Sequence, residues 1–105
     1  MEVKALSVLH FIIPPMPYYI ACGTTVFEPG AKHLKRRNLG VFDMLLVRSG
    51  CLYIGEEERQ YEVSPGHSLI LRPDCHHYPT LGCKEETVYY WVHFQTAGLW
   101  EAAEP

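Results

Sequence analysis

The segment Glu85-Glu86-Thr87-Val88-Tyr89-Tyr90-Trp91-Val92-His93-Phe94 carries the densest information in the chain. Its β-branched and aromatic residues read as a strand. Extended backbone turns alternate side chains to opposite faces, so Val88, Tyr90, Val92 and Phe94 point one way and Thr87, Tyr89, Trp91 and His93 the other. The first face is apolar. The second sets aromatic rings beside polar tips, a combination that offers a small polar ligand both a stacking surface and hydrogen-bond partners. The same residues would also serve as plain core, with His93 satisfied locally.

Around this segment the chain is short and ordinary in composition. Its 105 residues suit one domain with a single core. With 48% apolar and 20% charged residues it has a globular composition, and its net charge of −3 argues against nucleic-acid binding by this domain, since phosphate contact calls for positive excess. Cys22, Cys51, Cys75 and Cys83 form no C-x-x-C pair, which fits reduced thiols in the cytosol better than a zinc ribbon or a disulfide framework. The apolar residues 5–13 are too few to span a bilayer and lack a signal peptide's basic start.

Residues 1–17 read as an extended arm, because Pro14, Pro15 and Pro17 forbid a helix. Residues 18–27 read as a strand with a bulge at Gly23, and Pro29-Gly30 ends it. Lys32-His33-Leu34-Lys35-Arg36-Arg37 is the basic run; it reads as a solvated loop, the alternative being that one arginine, Arg37 for preference, turns inward over a cavity mouth. Residues 43–48 form an apolar strand, residues 51–63 a hairpin around a Glu-rich tip, and residues 67–71 another strand after Ser64-Pro65-Gly66. Next comes Cys75-His76-His77-Tyr78, with His76 and Tyr78 on one face and His77 on the other. Residues 97–105 contain helix formers and predict the start of a helix. Short strands with a turn every 8–12 residues indicate an all-β sandwich or barrel.

Six histidines raise the question of a metal, but adjacent His76 and His77 diverge on a strand and cannot chelate one ion; His33, His76 and His93 could meet only through the fold. Ser49 and Ser64 lie outside any G-x-S-x-G elbow, and Cys75 faces away from His76. A non-catalytic set remains: Trp91 for stacking, Tyr78 and Tyr89 for hydroxyl contacts, His76 or His93 for polar capping, and Arg37 as a charged donor.

In order along the chain, Arg37-Asn38-Leu39-Gly40, the strand and turn at 45–50, the hairpin at 52–63, Ser64-Pro65-Gly66, residues 69–73, His76-His77-Tyr78 and residues 89–94 together resemble the N-terminal effector domain of AraC-family bacterial transcription regulators. The resemblance implies a cupin-like jelly roll, a double-stranded β-helix, that senses a ligand and dimerises. It also implies a DNA-binding half of two helix-turn-helix motifs beyond residue 105. In sugar-responsive members an arginine, an H-x-Y pair and alternate residues of the W-V-x-F strand line the cavity; carried over, these fall on Arg37, on His76 and Tyr78, and on Tyr89 and Trp91. The sequence departs from the family pattern in two places: His67 stands where an acid is usual, and Asp74 stands where glycine is common, with the loop one residue short. The metal motif of enzymatic cupins is missing near residues 31–40, which speaks against an enzyme.

The organisation expected from all this is an arm at 1–17, a cupin-like effector domain at 18–96 and the start of a linker helix at 97–105. The expected function is a cytoplasmic sensing and dimerisation domain, with no catalytic residue, metal, cofactor or membrane contact. It would bind a small polar effector, a sugar being one candidate, through Arg37, His76, Tyr78, Tyr89, Trp91 and His93, with the arm recruited as a lid. Alternatives are a small metal-dependent cupin enzyme, an isomerase or dioxygenase, and a dimerisation module whose cavity has collapsed around Trp91.

Overall fold

The structure, a computed structural model, describes residues 8–37 and 39–103. Among the described residues ten strands run in chain order: β1 (Val8–Phe11), β2 (Tyr18–Phe27), β3 (Arg36–Arg37), β4 (Phe42–Ser49), β5 (Leu52–Glu56), β6 (Arg59–Val63), β7 (Ser68–Leu71), β8 (His76–Pro79), β9 (Thr87–Gln95) and β10 (Trp100–Ala103). Four of them form an antiparallel sheet in the order β2-β9-β4-β7, and four more form a second in the order β3-β8-β5-β6. β1 and β10 make a separate two-stranded ribbon. No helix occurs among the described residues.

Alternation within the strands explains how the sheets meet. Leu45 and Val47 of β4, Leu71 of β7 and Tyr89 of β9 pack against Leu52 and Ile54 of β5, Val63 of β6 and Cys83, and these eight residues form the buried core. Burial of several such side chains at about 1.5–3 kcal/mol each is what holds the sheets face to face. Turn chemistry fixes the strand ends. Gly66 takes a φ of 81 after Pro65, and the His67 N–H donates to the Ser64 carbonyl at 3.0 Å, a turn geometry that favours proline followed by glycine.

Glu56, 4% exposed, ties the sheets together by polar contacts. Its Oε2 accepts the Arg72 backbone N–H at 2.7 Å and lies 3.1 Å from His77 Nε2, while Oε1 is 3.5 Å from Arg72 Nε. A carboxylate so deeply buried is tolerated because its oxygens are occupied.

Two expectations need correction. Residues 97–105 do not start a helix where they are described: Trp100–Ala103 is β10, paired antiparallel with β1 so that Phe11 faces Trp100 and Val8 faces Ala103. The Trp100 ring sits 4.9 Å from Phe42, edge on, and Phe11 lies 5.1 Å from the same ring. Aromatic packing at a fixed site outweighs the modest propensity of a short helix. The second correction concerns the bulge in β2, which falls between Tyr19 and Ala21 rather than at Gly23.

Part of the expected arm, residues 1–7, lies outside the described residues. Val8–Phe11 is a strand whose Phe11 covers Phe42 and Phe94. Those two rings stack 5.1 Å apart and belong to the face of the sheet opposite Asp43 and His93. The ribbon therefore caps the outside of the sheet. Farther along that outer face Val26, Leu46 and Tyr90 stay exposed.

Candidate functional site

Between the sheets lies a cavity of about 370 Å³. β9 supplies one wall through Tyr89, Trp91 and His93, the alternate residues of its polar aromatic face. β2 adds Thr25 and Phe27, and β4 adds Asp43 and Leu45. The mouth is edged by Lys32, His33, Leu34 and Arg36, from the connection between β2 and β4. That connection is pinned at both ends: Gly30 donates to the Cys83 carbonyl at 2.6 Å and Cys83 donates to that of Ala31 at 2.8 Å, while Arg36 pairs with His77 across β3 and β8. Its middle residues are held over the opening as a strap.

The Trp91 indole leans over Gly23, its partner on β2. A Cβ built on Gly23 would stand 2.5 Å from Trp91 Cζ2 and 2.7 Å from Cε2, so a side chain there would displace the indole. On its other side Trp91 meets the His93 ring, with centroids 4.7 Å apart. Tyr89 is held by Phe27 at 5.4 Å and His33 at 6.2 Å, and its burial raises the phenol's pKa. The phenol is thus neutral across physiological pH and can donate.

Electrostatically the floor of the cavity is acidic and the mouth basic. Asp43 is 4% exposed, and burial pushes its carboxyl above the usual range, an effect that His93, His33, Arg36 and His77 oppose. His93 Nε2 lies 3.4 Å from Asp43 Oδ1, yet Oδ1 receives no hydrogen bond. Desolvation lowers the His33 pKa, which leaves a neutral imidazole at the mouth.

Of the six residues singled out from the sequence, Tyr89, Trp91 and His93 share this cavity, and Arg37, His76 and Tyr78 do not border it. One parity error accounts for all three. Leu52 and Ile54 of β5 point into the core, so Glu56 does too, and its partner on β8 is His77. His77 is 1% exposed. His76 and Tyr78 therefore face outward, with rings 5.1 Å apart, and the Tyr78 hydroxyl donates to the Glu57 carbonyl at 2.5 Å. Arg37 is paired with His76 and shares its outward face, whereas Arg36, paired with His77, edges the cavity. A slip of one residue exchanges the faces of a strand. The inward run Leu52, Ile54, Glu56 was the available signal. Asp43, which sequence reasoning passed over as the start of an apolar strand, belongs to the cavity. Of the histidines considered for a metal, His33 and His93 border it and His76 lies outside. Among the described residues no three His, Cys, Asp or Glu side chains converge as a metal-holding group.

Two facing sheets around an internal cavity define a cupin-like jelly roll. The fold matches the cupin domain of Schizosaccharomyces pombe Cnp3 with a TM-score of 0.62 at 13% identity, over 85% of this chain and 63% of that one. It also matches a recombinant oxalate oxidase in complex with glycolate, with a TM-score of 0.58 at 15% identity, over 90% of this chain and 54% of that one. Identities so low speak for the fold alone. Residues 42–104 match the AraC-like ligand binding domain, and the chain belongs to that family. It is 45% identical over 84 residues to the uncharacterized HTH-type transcriptional regulator YisR of Bacillus subtilis (strain 168), an alignment covering 80% of this chain and 29% of that protein. The chain thus spans under a third of that relative's length. Among the described residues no helix is long and apolar enough to cross a membrane.

Proposed function

We propose that this domain is the cytoplasmic sensing and dimerisation module of an AraC-type bacterial transcription regulator, which binds a small polar effector inside the jelly roll and acts on DNA through a separate domain. The observation that carries the reading is the row Tyr89, Trp91 and His93 facing a cavity of about 370 Å³, within the size range of small-molecule sites. Family membership supports the sensing role. Sugars fit the mixture of aromatic surface with Asp43, Arg36 and Lys32.

An effector alters regulation only by favouring one arrangement of the module over another. The strap formed by Lys32, His33, Leu34 and Arg36 edges the mouth and carries the charges a ligand would meet. The ribbon made by Val8–Phe11 covers the other face of the sheet.

Thermal denaturation against a panel of neutral sugars, polyols, sugar acids and amino acids tests the reading. A ligand at a hundred times its Kd stabilises by about 2.7 kcal/mol, or upwards of about 10 °C for a domain this size. The shift should vanish in Trp91→Ala. A shift of equal size in that variant, or none with any compound, would count against binding in the cavity.

A further inference from the structure

Asp43 brings a carboxylate to a place where an apolar side chain would pack without penalty. Alternation along β4 turns it inward with Leu45, it is 4% exposed, and it borders the cavity. Its Oδ1 is buried and accepts no hydrogen bond, although His93 Nε2 stands 3.4 Å away. Buried polar groups are almost always satisfied, and the exceptions call for an explanation. Burial disfavours the charge of this carboxylate by more than His93, His33, Arg36 and His77 together offset. The fold alone therefore leaves Asp43 short of both a donor and a positive charge.

A ligand in the cavity is placed to supply both. A hydroxyl brings a hydrogen bond without charge, whereas an ammonium brings a charge-assisted bond. The rings of Trp91, Tyr89 and Phe27 border the same space, and aromatic rings attract a cation in their own right. At the mouth the sign is reversed, because Lys32 and Arg36 edge the opening and the His33 imidazole between them is neutral. A plain amine leaves those two cations unanswered, and a plain carboxylate is repelled by Asp43. A molecule with an ammonium at one end and a carboxylate at the other matches the floor and the mouth together.

We propose that the cavity takes a zwitterionic amino acid, its ammonium against Asp43, its carboxylate toward Arg36 and Lys32, and an apolar side chain against Phe27 and Leu45. The inference rests on the effector-binding reading given above and adds the ligand class and the residues that orient it.

Calorimetric titration of the full chain tests this. The probes are leucine, phenylalanine and glycine, each beside its N-acetyl form, which lacks the ammonium, and its amide, which lacks the carboxylate. β-Alanine and γ-aminobutyrate vary the separation of the charges, and glucose and glycerol are the uncharged controls. A free amino acid should bind, and Asp43→Asn should weaken it about 10- to 100-fold, as expected for losing a hydrogen bond to a charged group. The N-acetyl form should bind the parent protein with a similar loss and bind Asp43→Asn no more weakly, because both changes remove the same contact. Arg36→Gln should weaken the free amino acid and spare its amide by the same logic. A purely structural role for either residue would weaken free and blocked forms alike. Should Asp43→Asn fold poorly, the blocked forms on the parent protein and on Arg36→Gln carry the test.

Equal binding of a free amino acid and its N-acetyl form overturns the proposal, as does unchanged amino-acid affinity in a folded Asp43→Asn. Binding of glucose or glycerol that depends on Trp91, with no amino acid binding, overturns the ligand class and leaves effector binding in the cavity standing. Failure of every probe, charged or not, overturns the proposal and counts against the effector reading as well.

Discussion

The Trp91 indole occupies the space that any side chain at Gly23 would need, on the strand directly opposite. The pairing joins the packing of two strands to the shape of the cavity, since the ring that Gly23 admits lines its wall. Gly23→Ala should force the indole from its place and cost about 1–3 kcal/mol, the usual range for overpacking. Urea denaturation measures the loss, and the ligand-induced thermal shift should shrink with it. A variant with the parent midpoint and a full ligand response would show that the ring moves aside freely.

Glu56 links the sheets through Arg72 and His77 at 4% exposure. Glu56→Ala takes away the acceptor of the Arg72 backbone N–H and the partner of the buried His77 Nε2, so it should destabilise by about 1–3 kcal/mol for each group left unsatisfied, read in equilibrium unfolding. A loss below about 1 kcal/mol would mean the contact is as weak as a surface ion pair.

His33 gives the fold a defined pH dependence. Burial lowers its folded-state pKa below the ordinary 6.5, so its contribution is complete above that pH. As pH falls through 6.5 the unfolded chain binds a proton that the folded chain resists, and stability declines until the folded value is passed. Asp43, raised by burial, works in the opposite direction, because acid favours its protonated folded form. Melting curves of the parent and of His33→Gln between about pH 7.5 and pH 5.5 separate the two effects. The parent should lose more than the variant over that interval; equal slopes would remove His33 from the account.

Cys75 should be an inert thiol. Burial first, then the Glu56 and Asp74 carboxylates, push its pKa up to about 12. At about pH 8 such a thiol is ionised in roughly one molecule in ten thousand. Iodoacetamide followed by peptide mass mapping should label exposed Cys22 well before Cys75. Early labelling of Cys75 would point to a thiolate stabilised by a neighbour.

The strands were legible in the sequence because alternation and turn residues are local signals: residues 18–27, the hairpin at 52–63 and the faces of residues 87–95 follow from them directly. What was not legible depended on pairing. Whether His76 or His77 looks inward is decided by register with Glu56, and that register fixes Arg36 over Arg37 as well. β10 was missed because Trp100 is recruited by Phe42, a contact about sixty residues away in sequence that no local propensity reveals. Asp43 looked like the edge of an apolar strand, and only the cavity gives its carboxylate a meaning.

Nuclear magnetic resonance of the indole N–H groups bears most directly on the central claim, since the chain has two tryptophans on opposite sides of one sheet. Titration with a compound from the panel that raises the melting temperature should move the Trp91 signal and leave that of Trp100 in place. A compound that stabilises the protein while the Trp91 signal stays still would contradict binding in the cavity.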